Sequence, residues 1–202
     1  MKFTRAQEKL IAFIDNGRSD GETSRKVAEG KLRFMDRIDY ARKDIGGLSG
    51  STNLIDESLA KLDGTRSIHQ GRLPQSQYAV YDKVLVTYET TGSTDVAPAA
   101  DPLYSPDMQT FDDALRNGLL IVRQDDNIKI ELPISALASF ADGGDVNPKD
   151  IAYELNDPVV FEPGKLIEWE IKFPSGSTVD NTASTSHNVE VMFFGIGTAP
   201  RG

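Results

Sequence analysis

Three pairs of carboxylates are the residues of this sequence best suited to acid–base chemistry. They are Asp112-Asp113, Asp125-Asp126 and the alternating Glu168 and Glu170. Hydrolysis of a glycosidic bond uses two carboxylates that flank that bond. Neighbouring residues of a strand face opposite ways, however, and Glu168 and Glu170 lie opposite an apolar face, as solvated strand residues do. We therefore interpret these carboxylates as surface residues and predict that the protein is not an enzyme.

A further group of oxygen ligands lies in the Gly-rich stretch "ADGGDVNPKD". Asp142, Asp145, Asn147 and Asp150 are weak candidates for a calcium site, because calcium binds carboxylate and carbonyl oxygens. Their spacing does not match the EF-hand loop, in which Asp or Asn recurs at every second position before a Gly. The same residue types favour tight turns without a metal. We expect a turn here, with no metal and no other cofactor.

Cysteine and histidine offer little further chemistry. The chain has no cysteine and two histidines, His69 and His187, far apart in turn-like sequence. Most zinc sites, Ser-His-Asp triads and the histidine cluster of a cupin need more than this. We expect both histidines to be exposed in loops.

Composition indicates an ordinary soluble chain of 202 residues, with 39% hydrophobic and 26% charged residues. No apolar run approaches the roughly 18 residues that a membrane span needs. The first residues, "MKFTRAQEKLIAFIDNG", are interrupted by charge too often for a signal peptide. We expect no transmembrane segment and synthesis in the cytoplasm.

Charge is distributed unevenly along the chain. Residues 1–50 contain 11 Lys and Arg against 8 Asp and Glu, whereas residues 81–202 contain 8 against 20. The acidic region is therefore a poor candidate for binding nucleic acid, which proteins bind by neutralising phosphate. The slightly basic beginning of the chain would make at most a weak contact with an anionic partner.

The predicted secondary structure changes from helices to strands near residue 75. Before it, apolar residues recur at helical spacing and predict three amphipathic helices. The first begins with a capping box at Thr4 and Gln7; the second runs from about Thr23 to Gly46-Gly47; the third ends at Gly64. Their apolar stripes are too narrow to form a core alone, so they need either the β body or a neighbouring subunit. We assign residues 1–72 to a helical arm.

Residues 73–202 predict an antiparallel β-sandwich of seven or eight strands. "LLIVRQDDNIKIELPI" reads as a hairpin, "LIEWEIKFPSG" alternates strictly, and "HNVEVMFFGIG" is apolar on both faces. A strand of the last kind is central or lies at a subunit contact. The predicted core residues are Val84, Val86, Ile128, Ile130, Ile167, Trp169, Ile171, Phe173, Val189, Val191 and Phe193. The predicted self-assembly residues are Leu10, Phe13, Ile14, Leu32, Met35, Ile38, Ile45, Met192, Phe194 and Ile196.

The order of "LPQSQYAVYDKVLVTYE", "LRNGLLIVRQDDNIKIELPI", "FEPGKLIEWEIKFPSG" and "VEVMFFGIGTAPRG" resembles the jelly-roll capsid proteins of tailless icosahedral bacteriophages. The resemblance covers residues 73–202 and lies in the order of strands and turns. It implies a single jelly roll and a coat subunit that assembles with copies of itself and other virion proteins. It also implies location in the virion after synthesis in the host cytoplasm, with the arm facing the genome or an inner layer.

Three other functions fit the same pattern. A phage tail, baseplate or head-to-tail joining protein would form a ring in place of a shell. A carbohydrate-binding β-sandwich would expose aromatic residues, for which Tyr78, Tyr81, Tyr88, Tyr104 and Tyr153 are available. A hydrolase on a β scaffold would need a convergent acid and base.

Overall fold

The computed structural model describes residues 4–16, 21–75, 77–92, 104–138, 147–181 and 185–200. The helices are α1 (Arg5–Asp15), α2 (Gly21–Ala28), α3 (Asp113–Arg116), α4 (Ile134–Leu137) and α5 (Pro148–Ile151), with a 3-10 turn at Met108–Thr110. The strands are β1 (Leu32–Asp44), β2 (Ser51–Ile55), β3 (Ala79–Gly92), β4 (Leu119–Gln124), β5 (Asn127–Pro133), β6 (Tyr153–Phe161), β7 (Ile167–Lys172) and β8 (Thr185–Pro200). The protein is mainly β.

Helix α1 begins where the capping box predicts. The Thr4 hydroxyl accepts a hydrogen bond from the Gln7 amide at 3.3 Å, and the Gln7 side chain accepts one from the Thr4 amide at 2.9 Å. These two bonds satisfy amide groups that a helix start otherwise leaves without partners. The prediction for the first helix is confirmed.

The predictions for the second and third helices are wrong over most of their length. Helix α2 ends at Ala28, and the stripe that begins at Leu32 belongs to strand β1. The proposed third helix begins in strand β2 and continues through turns. The two sheets thus take two of their strands from residues 1–72, which the sequence assigned to a helical arm. Strand β1 is an edge strand with charged residues on its inward face, so its apolar and polar residues do not alternate. The sequence pattern therefore did not identify β1 as a strand.

The strands form two antiparallel four-stranded sheets. The first sheet has the order β1-β8-β3-β6 and the second has the order β2-β7-β4-β5. One continuous core fills the space between them, with Trp169 and Phe193 at its centre and their ring centroids 4.6 Å apart. The alternation in "LIEWEIKFPSG" is therefore explained: Ile167, Trp169 and Ile171 are buried against the first sheet.

Ile128 is the predicted core residue that lies outside the core; its side chain is 54% exposed. A bulge in the β4–β5 pairing is the cause. Val122 pairs with Ile130, but the next residue, Arg123, pairs with Ile128, so Lys129 is an extra residue on β5. An extra residue of this kind reverses the alternation of side chains beyond it. Regular alternation would place Ile128 on the core face with Ile130, but the bulge turns its side chain to solvent.

A second bulge lies in the pairing of strands β3 and β8. The pairing of β3 with β8 shifts between Tyr81 and Lys83, which leaves Asp82 as the extra residue. A Cβ atom at Gly195 would lie 1.9 Å from the Val80 carbonyl oxygen. Only glycine fits at this position, because the clash would be with backbone that is held by the sheet.

Candidate functional site

Helix α1 covers the outer face of the first sheet, and its apolar stripe is therefore occupied within the chain. Leu10 and Ile14 are buried against Tyr78, Val80 and Ile196. The partly buried Phe13 ring lies 5.8 Å from the Tyr78 ring, between centroids. Of the two partner surfaces that the sequence left open for this helix, the structure selects the β body. These α1 residues do not form a surface patch available for self-assembly.

Two ion pairs hold the same helix from its exposed side. Arg5 pairs with Glu154 and also donates to the Asn156 carbonyl, and Lys9 pairs with Asp157 at 2.7 Å. All four charged side chains are more than a third exposed, so solvent screens both pairs and each contributes little to stability. Their effect is to set the helix against strand β6.

The remaining self-assembly candidates divide between the interior and the surface. Ile45 belongs to the main core, and Phe194 and Ile196 are buried on the outer face of the first sheet. Leu32 and Met192 are partly buried. Met35 and Ile38 are 47% and 55% exposed, so they are the members of the predicted set that present large apolar side chains to solvent.

Members of the carboxylate pairs stabilise turns, a helix start and a contact between two strands. Asp112 accepts from the amides of Ala114 and Asp180, and Asp125 accepts from the Leu166 amide. Glu170 pairs with Arg123 on the outer face of the second sheet. Hydrogen bonds of this kind are typical of Asp and Glu residues that stabilise local structure.

The calcium candidates are described only in part. Asn147 caps α5, its side chain accepting from the Lys149 amide at 3.0 Å, and Asp150 is exposed on the same helix. Asp142 and Asp145 lie outside the described residues. Within the described ranges, no group of His, Cys, Asp and Glu residues is arranged to hold a metal ion.

The two histidines have different environments. His69 is exposed in a loop, and its Nδ1 accepts from the Lys61 amide at 3.2 Å. The prediction of an exposed loop is wrong for His187, which is buried on β8 with Nδ1 2.5 Å from the Tyr88 hydroxyl. Burial, together with the carboxylates of Asp112 and Asp180, raises the pKa of Tyr88, so this hydroxyl stays protonated. The His187 Nε2 atom is buried, and none of the residues that the structure describes forms a hydrogen bond with it.

A buried polar cluster fixes strand β1 to the rest of the first sheet. The Asp39 carboxylate accepts hydrogen bonds from Arg37, Tyr81 and, at 2.7 Å, the Ser67 hydroxyl. Burial and the adjacent Asp39 charge raise the pKa of Tyr81, which keeps its hydroxyl a donor to this carboxylate. Sequence reasoning did not find this cluster, because its members are far apart in the chain: Tyr81 lies 42 residues from Asp39.

A second ion pair lies on the outer face of the same sheet. Arg42 donates to Glu190 at 2.6 Å and to the Gly64 carbonyl at 2.8 Å. Its guanidinium also lies 5.2 Å from the Tyr40 ring centroid and 5.1 Å from that of Tyr104. The contacts of Arg42 with Glu190, Gly64 and Tyr104 tie β1 to its neighbours, which makes this group structural.

We use the term β1 flank for the free edge of strand β1 from Leu32 to Ile38, together with Leu62 of the loop that covers the next part of this edge. The edge farther along is covered, because the Arg42 amide donates to Thr65 and the Ser67 amide donates to Tyr40. None of the other described residues hydrogen-bonds the outward backbone groups of residues 34, 36 and 38. Met35, Ile38 and Leu62 are all about half exposed.

We use the term β5–β6 flank for the opposite side of the sandwich, where the edge strands of the two sheets border a cleft of about 260 Å³. The cleft is lined by Lys129, Ile130, Glu131, Leu132, Tyr153, Leu155, Asn156, Asp157 and Val159. The exposed Ile128 precedes this lining on β5. Within the described ranges, each flank combines an edge strand with at least one exposed large apolar side chain, so we take the two flanks as the candidate functional site.

No protein-family model, no curated protein and no solved structure matches this chain. Among the helices of the described ranges, none has the length and apolar character needed to cross a membrane.

Proposed function

We propose that this protein is a structural virion protein, a capsid subunit with a single jelly roll that self-assembles into an icosahedral shell. The observation that carries the proposal is the pairing of strands. β1 pairs with β8, β2 with β7, β3 with β6 and β4 with β5, all antiparallel. This is the pattern of one long hairpin whose two arms are rolled into two sheets. Eight strands arranged in this way are typical of jelly rolls, which include viral capsid domains, lectins and cupins.

The surface of the sandwich favours a coat subunit over a lectin or a cupin. The β1 flank and the β5–β6 flank lie on opposite sides; the first combines a strand edge with the exposed Met35, Ile38 and Leu62, and the second combines strand edges with the exposed Ile128. A subunit of a closed shell needs such surfaces because it contacts several copies of itself. A cupin, by contrast, binds its metal through histidines on neighbouring strands. Here His69 lies in a loop, and the Nδ1 atom of His187 contacts Tyr88.

The proposed partners are other copies of this chain and other virion proteins, and the proposed location is the virion. Contact between helix α1 and the genome receives little support, because Arg5 and Lys9 pair with carboxylates of the same chain. The helix instead extends the jelly roll on its outer face.

Light scattering behind a sizing column, with negative-stain imaging of the largest species, tests the proposal. We expect closed particles, or rings of subunits that can be converted to them by changes in salt or pH. A monomer at every concentration and salt tested would contradict the proposal. Rings that stack into tubes or remain single would instead favour a tail, baseplate or head-to-tail joining protein.

A carbohydrate-binding module is the second candidate, and the cleft of the β5–β6 flank favours it. Tyr153 borders this cleft beside Asn156 and Asp157, which combines an aromatic ring with polar side chains that can bind hydroxyl groups. A glycan array with the wild type, Tyr153→Ala and Tyr153→Phe would test this function. Binding that is lost in Tyr153→Ala and kept in Tyr153→Phe would support it, and an array without binding would contradict it.

A further inference from the structure

Two cationic side chains lie close together on the side of the sandwich where β1 and β2 form the edges of the two sheets. They are Lys43 of β1 and Arg66 of the loop that covers part of the β1 edge. Both residues are partly buried. Removing charge from water costs free energy unless the charge is paired, so two neighbouring cations in a chain of net charge −9 call for an explanation.

The strand register directs both side chains toward the second sheet. Arg66 forms an antiparallel bridge with Ala41, which is buried in the core between the sheets. Residues directly opposite each other on paired strands share a face, so Arg66 lies on the inward face with Ala41. Lys43 is two residues beyond Ala41 on β1 and is on the same face.

Lys43 bridges the gap between the two sheets. Its Nζ atom donates to the Thr52 hydroxyl at 2.6 Å and to the Asn53 carbonyl at 2.9 Å, both on β2. An ammonium group has three donors, so one remains for a further acceptor. Burial lowers the pKa of Lys43, and the positive charge of Arg66 acts in the same direction, whereas Asp56 opposes it. Arg66 is therefore close enough to repel the Lys43 charge.

The guanidinium of Arg66 has donors that the rest of the described chain leaves unused. Its Nε atom is buried, and none of the residues that the structure describes accepts a hydrogen bond from it. The ion pairs formed among those residues do not include Arg66. Buried N–H groups are nearly always paired, and a bound ion or water is one explanation of an exception.

Two carboxylates of this region are bound to other groups. Asp56 accepts hydrogen bonds from the amide and the hydroxyl of Ser58 and from the Asn53 side chain. Asp39, on the inward face of β1, is paired with Arg37. In the ion pairs of the described residues, neither carboxylate is joined to Lys43 or Arg66. Both cations are therefore available to an anion from solution.

We propose that Lys43 and Arg66 form a binding site for free phosphate or a similar tetrahedral oxyanion. Arg66 offers the Nε and Nη donors of a planar fork, and Lys43 adds a donor from a second direction. A carboxylate is satisfied by the planar fork alone, whereas a tetrahedral anion can use both side chains. The bound anion would tie the loop at Arg66 to β1 and, through Lys43, to β2. The site is independent of the proposed self-assembly.

Free phosphate is a better occupant than the phosphate groups of a nucleic acid. Residues 81–202 contain 8 Lys and Arg against 20 Asp and Glu, so most of the chain would repel a polyanion. A single small anion meets only the local charge of the two cations. The position of the site between two sheet edges also suits a compact ligand.

Titration of the full chain with inorganic phosphate, at an ionic strength held constant with chloride, tests the site. Isothermal titration calorimetry measures affinity, and thermal unfolding measures the stabilisation that a ligand of the folded state produces. Arg66→Gln removes the charge and the Nε donor, and Arg66→Lys keeps the charge without that donor. The matched control is Arg33→Gln, because Arg33 is an exposed arginine of β1. Circular dichroism would check that every variant folds.

We expect phosphate to bind the wild type and Arg33→Gln equally and to raise the melting temperature of both. Arg66→Gln should bind phosphate about tenfold more weakly or worse, since hydrogen bonds to a charged group are lost, and Arg66→Lys should fall between. A wild type without phosphate binding, or equal binding by Arg66→Gln, would overturn the inference. An equal loss in Arg33→Gln would also overturn it, because net charge alone would then explain the effect.

Two competing anions test the choice of ligand. Acetate at the same ionic strength presents a planar carboxylate, and we expect it to displace phosphate poorly. Displacement by acetate at equal concentration would overturn the assignment to a tetrahedral oxyanion. A short single-stranded oligonucleotide should not compete, and competition by it would overturn free phosphate as the occupant in favour of a nucleic acid. All of these outcomes leave the proposed function standing, because none of them measures association between subunits.

Discussion

The outer faces of the two sheets differ in how they are covered. On the first sheet, Tyr78, Val80 and Ile196 form an apolar surface, and helix α1 lies over it. On the second sheet, the outward residues of β7 are Glu168, Glu170 and Lys172, which remain in contact with water. This difference explains why β8 is apolar on both faces and β7 on one. The composition of a strand depends on the element that covers each face as well as on the core.

One substitution made on each sheet would measure this difference directly. Ile196 is 4% exposed under α1, whereas Ile128 is 54% exposed on the second sheet. We expect Ile196→Asp to lower the free energy of unfolding by about 3 to 5 kcal/mol, because it leaves a buried charge without a partner. Ile128→Asp should change it by less than about 0.5 kcal/mol. Urea unfolding followed by far-UV circular dichroism provides both values, and equal losses would contradict the comparison.

Truncation of the helix side of the same contact should have the next largest effect. Leu10 is fully buried between α1 and the first sheet. We expect Leu10→Ala to cost about 2 to 5 kcal/mol, through lost burial and the cavity that remains. The control is Glu8→Ala on the exposed side of the helix. A loss near zero in Leu10→Ala would mean that α1 does not dock on this face in solution.

The capping box of α1 should contribute less. Because the Thr4 hydroxyl accepts from the Gln7 amide, Thr4→Ala removes one bond of the reciprocal pair. We expect a loss of about 1 kcal/mol, with Thr4→Ser close to the wild type. Thermal unfolding measured by calorimetry would detect a loss of this size. Equal stability of the Ala and Ser variants would indicate that the cap does not form.

The ion pair between Arg123 and Glu170 on the second sheet should contribute least to stability, and its contribution should depend on pH. Burial opposes ionisation of Glu170, but hydrogen bonds from Arg123 and Ser51 outweigh it and lower the pKa of Glu170 below its usual 4.5. The stabilisation is therefore present above about pH 4.5 and is lost as the pH falls through the lower pKa of the folded state. We expect Glu170→Gln to lower the melting temperature slightly at pH 7 and to approach the wild type at pH 3. Glu168→Gln, on the same face, is the control, and a difference that grows at low pH would contradict this prediction.

The sequence predicted the elements whose apolar pattern is set by the core between the sheets. Strand β7 alternates because one of its faces packs on the first sheet and the other is solvated, and helix α1 has both a capping box and an apolar stripe. Trp169 and Phe193 were predicted as core residues and are buried, because each belongs to a strand whose inward residues are regularly apolar.

Strand β1 was not predicted, because its inward residues are polar. Arg37 and Asp39 face the interior edge of the sandwich, where Tyr81 and Ser67 bind the Asp39 carboxylate. The remaining apolar residues, such as Leu32, happen to recur at intervals near those of a helix. At this position a strand and a helix differ only in their contacts with distant parts of the chain. Those contacts cannot be read from the local spacing of apolar residues.

The candidate site was predicted in part for a related reason. Of the predicted self-assembly residues, Met35 and Ile38 are about half exposed, whereas Leu10 and Ile14 are buried where α1 docks within the chain. An apolar stripe shows that a helix needs a surface, and it does not show which surface. The cleft between β5 and β6 was not predicted from the sequence. Its two strands are separated along the chain and are brought together only in the folded protein.

The single tryptophan provides an optical consequence of this architecture. Trp169 is 1% exposed at the centre of the sandwich, beside the Phe193 ring and away from both flanks. Its fluorescence should therefore be blue-shifted in the folded subunit and insensitive to contacts between subunits. The emission of this residue reports folding alone, while scattered light reports association, so the two processes can be followed separately in one cuvette.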